Sequence, residues 1–223
     1  MGARPLPRIF YARDTLEVAK DLLGKVLVRS AGDRKLAGRI VEVEAYKGLS
    51  DPASHAYRGE NGRARLMFGE VGRCYVYFVY GNHYCVNVVA KSSRARAGAV
   101  LLRALEPLQG VDVMRCNRGT EDKFRLTSGP GRLTKAMEID LKLYGTDLTK
   151  LGGLYIGDGS LRSEEVIVTA ARVGVTRAAQ RPWRFLIAGS EYVSVSPGQD
   201  AASKTQLPLK AGLPQAKSRR YRQ

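Results

Sequence analysis

At 223 residues with a 44% hydrophobic share, the chain can bury a sizeable core as one large domain or two small ones, and it is expected to fold. Lysine and arginine number 37 against 21 acidic residues, a formal charge of +16 that leaves the fold open but points to a polyanionic partner, nucleic acid above all. No apolar run approaches the ~18–20 residues of a membrane span, the amino terminus lacks a secretion signal's apolar stretch, and three cysteines without CxxC spacing beside two histidines suggest neither a disulfide framework nor a metal site.

Residues 1–8, with Pro5, Pro7, Arg4 and Arg8, read as a loose arm. Asp14 followed three residues later by Glu17 makes a capping-box pattern, and Leu16, Ala19, Leu22 and Leu23 form the apolar stripe of a helix that Gly24 stops. Residues 25–29 and 36–46 read as strands joined through Ala31-Gly32-Asp33 into a hairpin. In the second strand Val41, Val43 and Ala45 alternate with Glu42, Glu44 and Tyr46, so the last three share a face. A solvated face whose carboxylates offset nearby arginines accounts for that pattern as well as a functional site does. Residues 47–65, rich in Gly, Ser, Asp, Asn and Arg and holding His55, predict a functional loop by their length.

Residues 73–87 read RCYVYFVYGNHYCVN, two β-prone runs (74–80 and 84–89) broken by Gly81-Asn82-His83, the signature of a hairpin. It is either an ordinary core hairpin or, because Tyr80 abuts the turn of a basic protein, a stacking surface for nucleic-acid bases. A basic loop at 91–96 precedes an apolar strand at 99–105, whose Arg103 needs either a sheet edge or a buried acidic partner. Residues 111–118 read as a helix. Ser128-Gly129-Pro130-Gly131-Arg132 opens another that continues from Leu133 towards Leu141, and its backbone N–H groups could hold a phosphate beside Lys135. Strands are expected at 154–156, 166–170 and 184–188, with 171–175 turning over at a strand end. From Ser196 the periodicity is lost and a disordered basic tail is expected to 223. With no repeat and no linker, one domain over 1–195 is the simplest organisation.

Several of these motifs, in order, resemble the alkyladenine (3-methyladenine, or methylpurine) DNA glycosylases of the mammalian type. They are Gly38-Arg39-Ile40-Val41-Glu42-Val43-Glu44-Ala45-Tyr46 with His55, the run from Tyr75 through Gly81 to Asn87, Leu101-Leu102-Arg103-Ala104-Leu105-Glu106-Pro107, Ser128-Gly129-Pro130, and Ala171-Arg172-Val173-Gly174-Val175. Their spacing fits from about Leu6 to Val195. The resemblance implies an α+β fold, a curved, mostly antiparallel mixed sheet or open barrel with surrounding helices and a protruding hairpin. It implies that Glu44 activates a water held by Arg103 and the carbonyl of Val173, and that Tyr46, His55, Tyr77 and Asn87 wall the pocket for an extruded base. Tyr80, with Asn82 and His83, would fill the gap in the duplex, and Arg132 and Lys135 would lie against the DNA backbone. Asn82 and His83 are more polar than the family's apolar-aromatic pair. The implied protein is a monomer acting on damaged double-stranded DNA without metal or other cofactor. It would be found with the DNA, in a bacterial cytoplasm or a eukaryotic nucleus.

The chemistry is self-consistent. Purine N-glycoside hydrolysis develops oxocarbenium character, and one carboxylate can both accept the water's proton and face the growing positive charge. Glu42, roughly 6.5–7 Å from Glu44 by strand rise, would match a two-carboxylate glycosidase, but the resemblance assigns it no role and it is read as structural. No lysine nucleophile is indicated, so hydrolysis without strand cleavage is expected. The competing class is a non-catalytic basic protein that stacks bases on the hairpin.

Overall fold

The molecule is built outward from one strand, β2 (Arg34–Tyr46), buried from Leu36 to Ala45. The computed structural model describes residues 3–79 and 83–195; Tyr80, Gly81, Asn82 and the tail from 196 lie outside the described residues. Along one side β2 pairs with β5 (Ala99–Gln109). Along the other its first half pairs with β1 (Val26–Ala31) and its second half with β8 (Arg184–Ile187). β6 (Leu154–Gly157) extends the sheet beyond β1, β4 (His83–Val89) and β3 (Cys74–Val79) extend it beyond β5, and β7 (Ile167–Ala170) pairs with β8. All of these pairings are antiparallel, and the eight-stranded sheet does not close into a barrel.

Period-two alternation divides the sheet into two faces. Val41, Val43 and Ala45 join Val100 and Leu102, Val86 and Val88, and Cys74 and Val76 in the main core. Helices α2 (Thr15–Leu22), α3 (Val111–Arg118) and α4 (Pro130–Ala136) supply Val18, Leu22, Met114 and Leu133 to the same core. The opposite face carries Glu44, Tyr46, Leu101, Asn87, Tyr75 and Tyr77. It is covered by the segment after β2, whose three short 3-10 turns (Gly48–Ser50, His55–Arg58, Gly62–Phe68) pack Ala56, Ala64 and Met67 under Tyr75. The Glu42–Tyr46 face is therefore not a solvated one.

The expected helix over 14–23 forms, with Asp14 capping it through the Leu16 N–H at 2.8 Å. α4 is shorter than expected, ending at Ala136, with Glu138 at φ 52° beyond it. Residues 3–8 do not form a loose arm. Pro5 bridges Gly157, the Leu6 N–H donates to the Ile156 carbonyl (2.9 Å), and α1 (Arg8–Tyr11) follows directly. The reason is what the fold brings alongside: buried Leu6 joins the core, and Arg8 finds the Asp147 carboxylate (2.7 Å) and the Val71 carbonyl (2.6 Å).

Candidate active site

Arg103 shares the Glu44 face with Leu101, the residue paired with Glu44, and a bulge lies beside it. The β2–β5 register runs Ile40↔Leu105, Glu42↔Ala104 and Val43↔Leu102, skipping Val41 on one strand and Arg103 on the other. Such irregularities re-aim side chains in an otherwise regular ladder. The guanidinium is 6% exposed and sits between two wholly buried carboxylates, its Nε 3.1 Å from Glu42 Oε1 and its Nη1 3.3 Å from Glu44 Oε1. Burial works against its charge, but the Glu44 and Glu42 carboxylates outweigh that and raise its pKa further above the ordinary range.

Glu44 has two further partners. The Val173 N–H donates to Oε1 at 2.7 Å, and the Tyr46 hydroxyl donates to Oε2 at 2.7 Å. Burial, and after it the charge of Glu44, push the Tyr46 phenol well above its usual pKa, so it stays a donor at any working pH. A carboxylate offers about four acceptor sites. Three partners leave one acceptor site free.

Above this floor lies a cavity of about 700 Å³ walled by Tyr46, His55, Tyr75, Tyr77, Asn87, Leu101, Arg103 and Val173, within the ~300–1,000 Å³ usual for small-ligand pockets. The His55 ring stands edge-on to Tyr77 (centroids 4.6 Å apart), and its Nδ1 is 2.8 Å from the Tyr75 hydroxyl. Burial first, then the nearby Arg63 charge, lower the His55 pKa below 6.5, leaving the ring neutral at pH 7. Asn87 donates from Nδ2 to the Tyr75 carbonyl (2.9 Å), which fixes the amide and leaves Oδ1 and a second N–H.

Tyr46 is backed by Arg172, whose guanidinium lies 4.7 Å from the ring centroid and pairs with buried Asp51 through two bonds of 2.6 and 2.8 Å. Gly48, at φ 61°, makes the close turn that follows β2, and a Cβ there would stand 2.4 Å from the Ala97 carbonyl oxygen. At the mouth, Arg63 sits 5.7 Å from the Tyr77 centroid. A second cavity of about 460 Å³ shares His55, Arg63 and Arg177 with the first and adds Arg58. Among the described residues these three arginines have no carboxylate partner, whereas Arg8, Arg39, Arg103, Arg162 and Arg172 are all ion-paired.

Six expected site residues line one cavity, Arg103, Val173, Tyr46, His55, Tyr77 and Asn87, and Glu44 lies behind its wall, bonded to Tyr46, Val173 and Arg103. The part of Val173 that meets Glu44 is its N–H. Arg132 and Lys135 do not line the cavity. Arg132 turns back to the Ser128 carbonyl and hydroxyl (3.1 and 3.2 Å), and Lys135 is exposed on α4. His83 is exposed, with its ring 3.0 Å from where a Gly131 Cβ would be. Tyr80 and Asn82 lie outside the described residues. Cys85 and Leu101 also line the cavity, and their alternation with Asn87 and Arg103 carried that signal. Arg63, in the Gly62–Phe68 3-10 turn, and Arg177, in an irregular segment, carried none.

The model of the methylpurine-DNA glycosylase family matches residues 9–191. Relatives provisionally named 3-methyladenine DNA glycosylase include one from Carboxydothermus hydrogenoformans, 51% identical over 189 residues (85% of this chain, 98% of the relative). Another, from Methanoculleus marisnigri, is 52% identical over 192 residues (85% and 98%). A third, from Chlorobaculum parvum, is 47% identical over 189 residues (84% and 89%).

Proposed function

This chain belongs to the methylpurine-DNA glycosylase family, and from that membership we propose that it extrudes alkylated or deaminated purines from duplex DNA and hydrolyses their N-glycosidic bond with a water activated by Glu44. The observation that carries the reading is a wholly buried carboxylate held by three residues that line an aromatic-walled cavity, with an acceptor site to spare.

In this reading the extruded purine lies among Tyr46, His55 and Tyr77, with Asn87 screening its edge. Water oxygen forms a bond to C1′ as the C1′–N9 bond breaks. The base leaves with the bonding electrons, the water proton passes to Glu44, and an abasic deoxyribose remains. A purine methylated at N3 or N7 is already cationic and leaves as a neutral base, whereas a neutral lesion such as hypoxanthine or ethenoadenine leaves as an anion that takes its proton from solvent water. No lysine lines the cavity among the described residues, so the reaction ends at the abasic site without Schiff-base cleavage. Extrusion costs a few kcal/mol and stacking returns ~1–3 kcal/mol per base, so Tyr80 would offset part of the cost. Phosphate contacts would supply the rest, with Arg58, Arg63 and Arg177 at the mouth better placed for them than Arg132. We take the protein to act as a monomer whose glycosylase domain spans 1–195 and whose basic tail adds charge beyond it. No described helix is long and apolar enough to cross a membrane.

Base release from duplexes carrying 3-methyladenine, hypoxanthine or ethenoadenine tests the reading. Glu44→Gln is expected to lower the single-turnover rate by about 10²–10⁴-fold while duplex binding persists. A wild-type protein that leaves all three duplexes intact would refute it.

A further inference from the structure

Glu42 has been read as a structural residue, yet its bonds run to the same guanidinium that approaches Glu44. Its Oε1 accepts from Arg103 Nε (3.1 Å), Arg184 Nη1 (3.0 Å) and the Ser194 hydroxyl (2.9 Å), and its Oε2 from the Ser194 N–H (2.6 Å). Ser194 Oγ also receives Arg103 Nη2 at 3.0 Å. Two buried carboxylates and two buried guanidiniums thus balance in charge, and the segment at Ser194 locks the arrangement from a distant part of the chain.

This geometry decides which edge of Arg103 faces the cavity. A guanidinium beside a lone carboxylate tends to form a two-bond fork with it, occupying both oxygens. Here the Nε side is taken by Glu42 and Nη2 by Ser194, so only Nη1 approaches Glu44. We propose that Glu42, assisted by Ser194, is a positioning residue for base excision that holds Arg103 by its Nε edge and so keeps an oxygen of Glu44 open to water. The proposal rests on Glu44 acting as the base, as argued above. Glu42 itself does not touch the reacting atoms; Glu42 and Ser194 act through Arg103.

The test uses single-turnover excision on a lesion duplex, read separately as maximal rate and half-saturating enzyme concentration. Glu42→Gln is expected to lower the maximal rate about 10- to 100-fold, the scale of a misplaced catalytic group, with half-saturation changed less than about 3-fold. Arg103→Lys keeps the charge but has no Nε–H for Glu42. The Glu42→Gln/Arg103→Lys double variant is therefore expected to be no slower than Arg103→Lys alone. Multiplied effects, or a wild-type rate in Glu42→Gln, overturn the proposal. Should Glu42→Gln fail to fold, Ser194→Ala decides, because it keeps every charge: a reduced maximal rate supports the proposal and an unchanged one overturns it. Wild-type and Glu44→Gln controls separate the two ideas. Normal excision with Glu44→Gln still active sinks the base assignment, whereas an inactive Glu44→Gln beside an unaffected Glu42→Gln sinks only this one.

Discussion

Glu44 and Asp51 are both buried carboxylates, but they are partnered differently. Glu44 is shared among a hydroxyl, a backbone N–H and one arm of a guanidinium, so its partners leave it an open acceptor site. Asp51 is closed by the two-bond fork of Arg172, both side chains being fully buried. Removing one member of such a pair strands the other charge in a low-dielectric interior, at a cost of about 3–5 kcal/mol. Arg172→Ala is expected to lose that much stability in urea unfolding, and also to slow excision, because Arg172 backs the Tyr46 ring and precedes Val173. Replacing both partners with apolar residues is expected to restore much of the stability without restoring the rate.

At the scale of elements, the hairpin depends on α4. β4 pairs with β5 only over Asn87–Val89, so among the described residues the part of the hairpin nearer its tip has no further strand beside it. α4 supports that part: the Thr134 hydroxyl donates to the Tyr84 carbonyl (3.0 Å), and Gly131 lies flush against the His83 ring. Gly131 is in the first turn of α4 with no positive φ, so a side chain there meets His83 rather than backbone strain. Leucine favours helix over glycine by roughly 0.5–1 kcal/mol. Gly131→Leu is therefore expected to leave the melting temperature unchanged or slightly higher while weakening lesion-duplex affinity several-fold, the two measured by thermal unfolding and fluorescence titration. A variant that binds as tightly as wild type would mean that the hairpin base has no bearing on DNA engagement.

Over the whole molecule, the +16 charge is unevenly used. Many arginines are consumed by internal ion pairs, while Arg58, Arg63 and Arg177 gather at the cavity mouth with no carboxylate partner among the described residues. Each phosphate contact adds about one unit to the slope of log affinity against log salt. Arg58→Gln and Arg177→Gln are each expected to flatten that slope by about one, whereas Lys135→Gln is not. Stability against acid belongs to the same scale. Bonding to Arg39 above all, with the Arg162 N–H and both charges assisting against burial, lowers the Glu165 carboxyl from 4.5 to about 2. A carboxyl depressed in the folded state stabilises above its unfolded pKa and loses that contribution as pH falls through its folded one. Urea midpoints are thus expected to fall between about pH 4.5 and 2, and Glu165→Gln to flatten that fall.

By itself the sequence determined most of the strands, the first long helix and the sidedness of the sheet. Alternation along residues 41–46 set Glu44 and Tyr46 on one face, Asp14 marked a helix start, and Gly81-Asn82 marked a hairpin, all from neighbours within a few residues. Only the tertiary structure decided that the Glu44 face is buried, because its cover comes from residues 47–69, 173–177 and 194, segments without periodicity. The same holds for the partners of Arg103, since a bulge and two distant carboxylates become neighbours only after β2, β5 and β8 have paired. Leu6 and Arg8 left the expected arm for an equally non-local reason: the strand and loop that receive them lie more than 60 residues away in the chain. Local patterns fix what a segment becomes, whereas burial and charge pairing depend on what the folded chain brings alongside it.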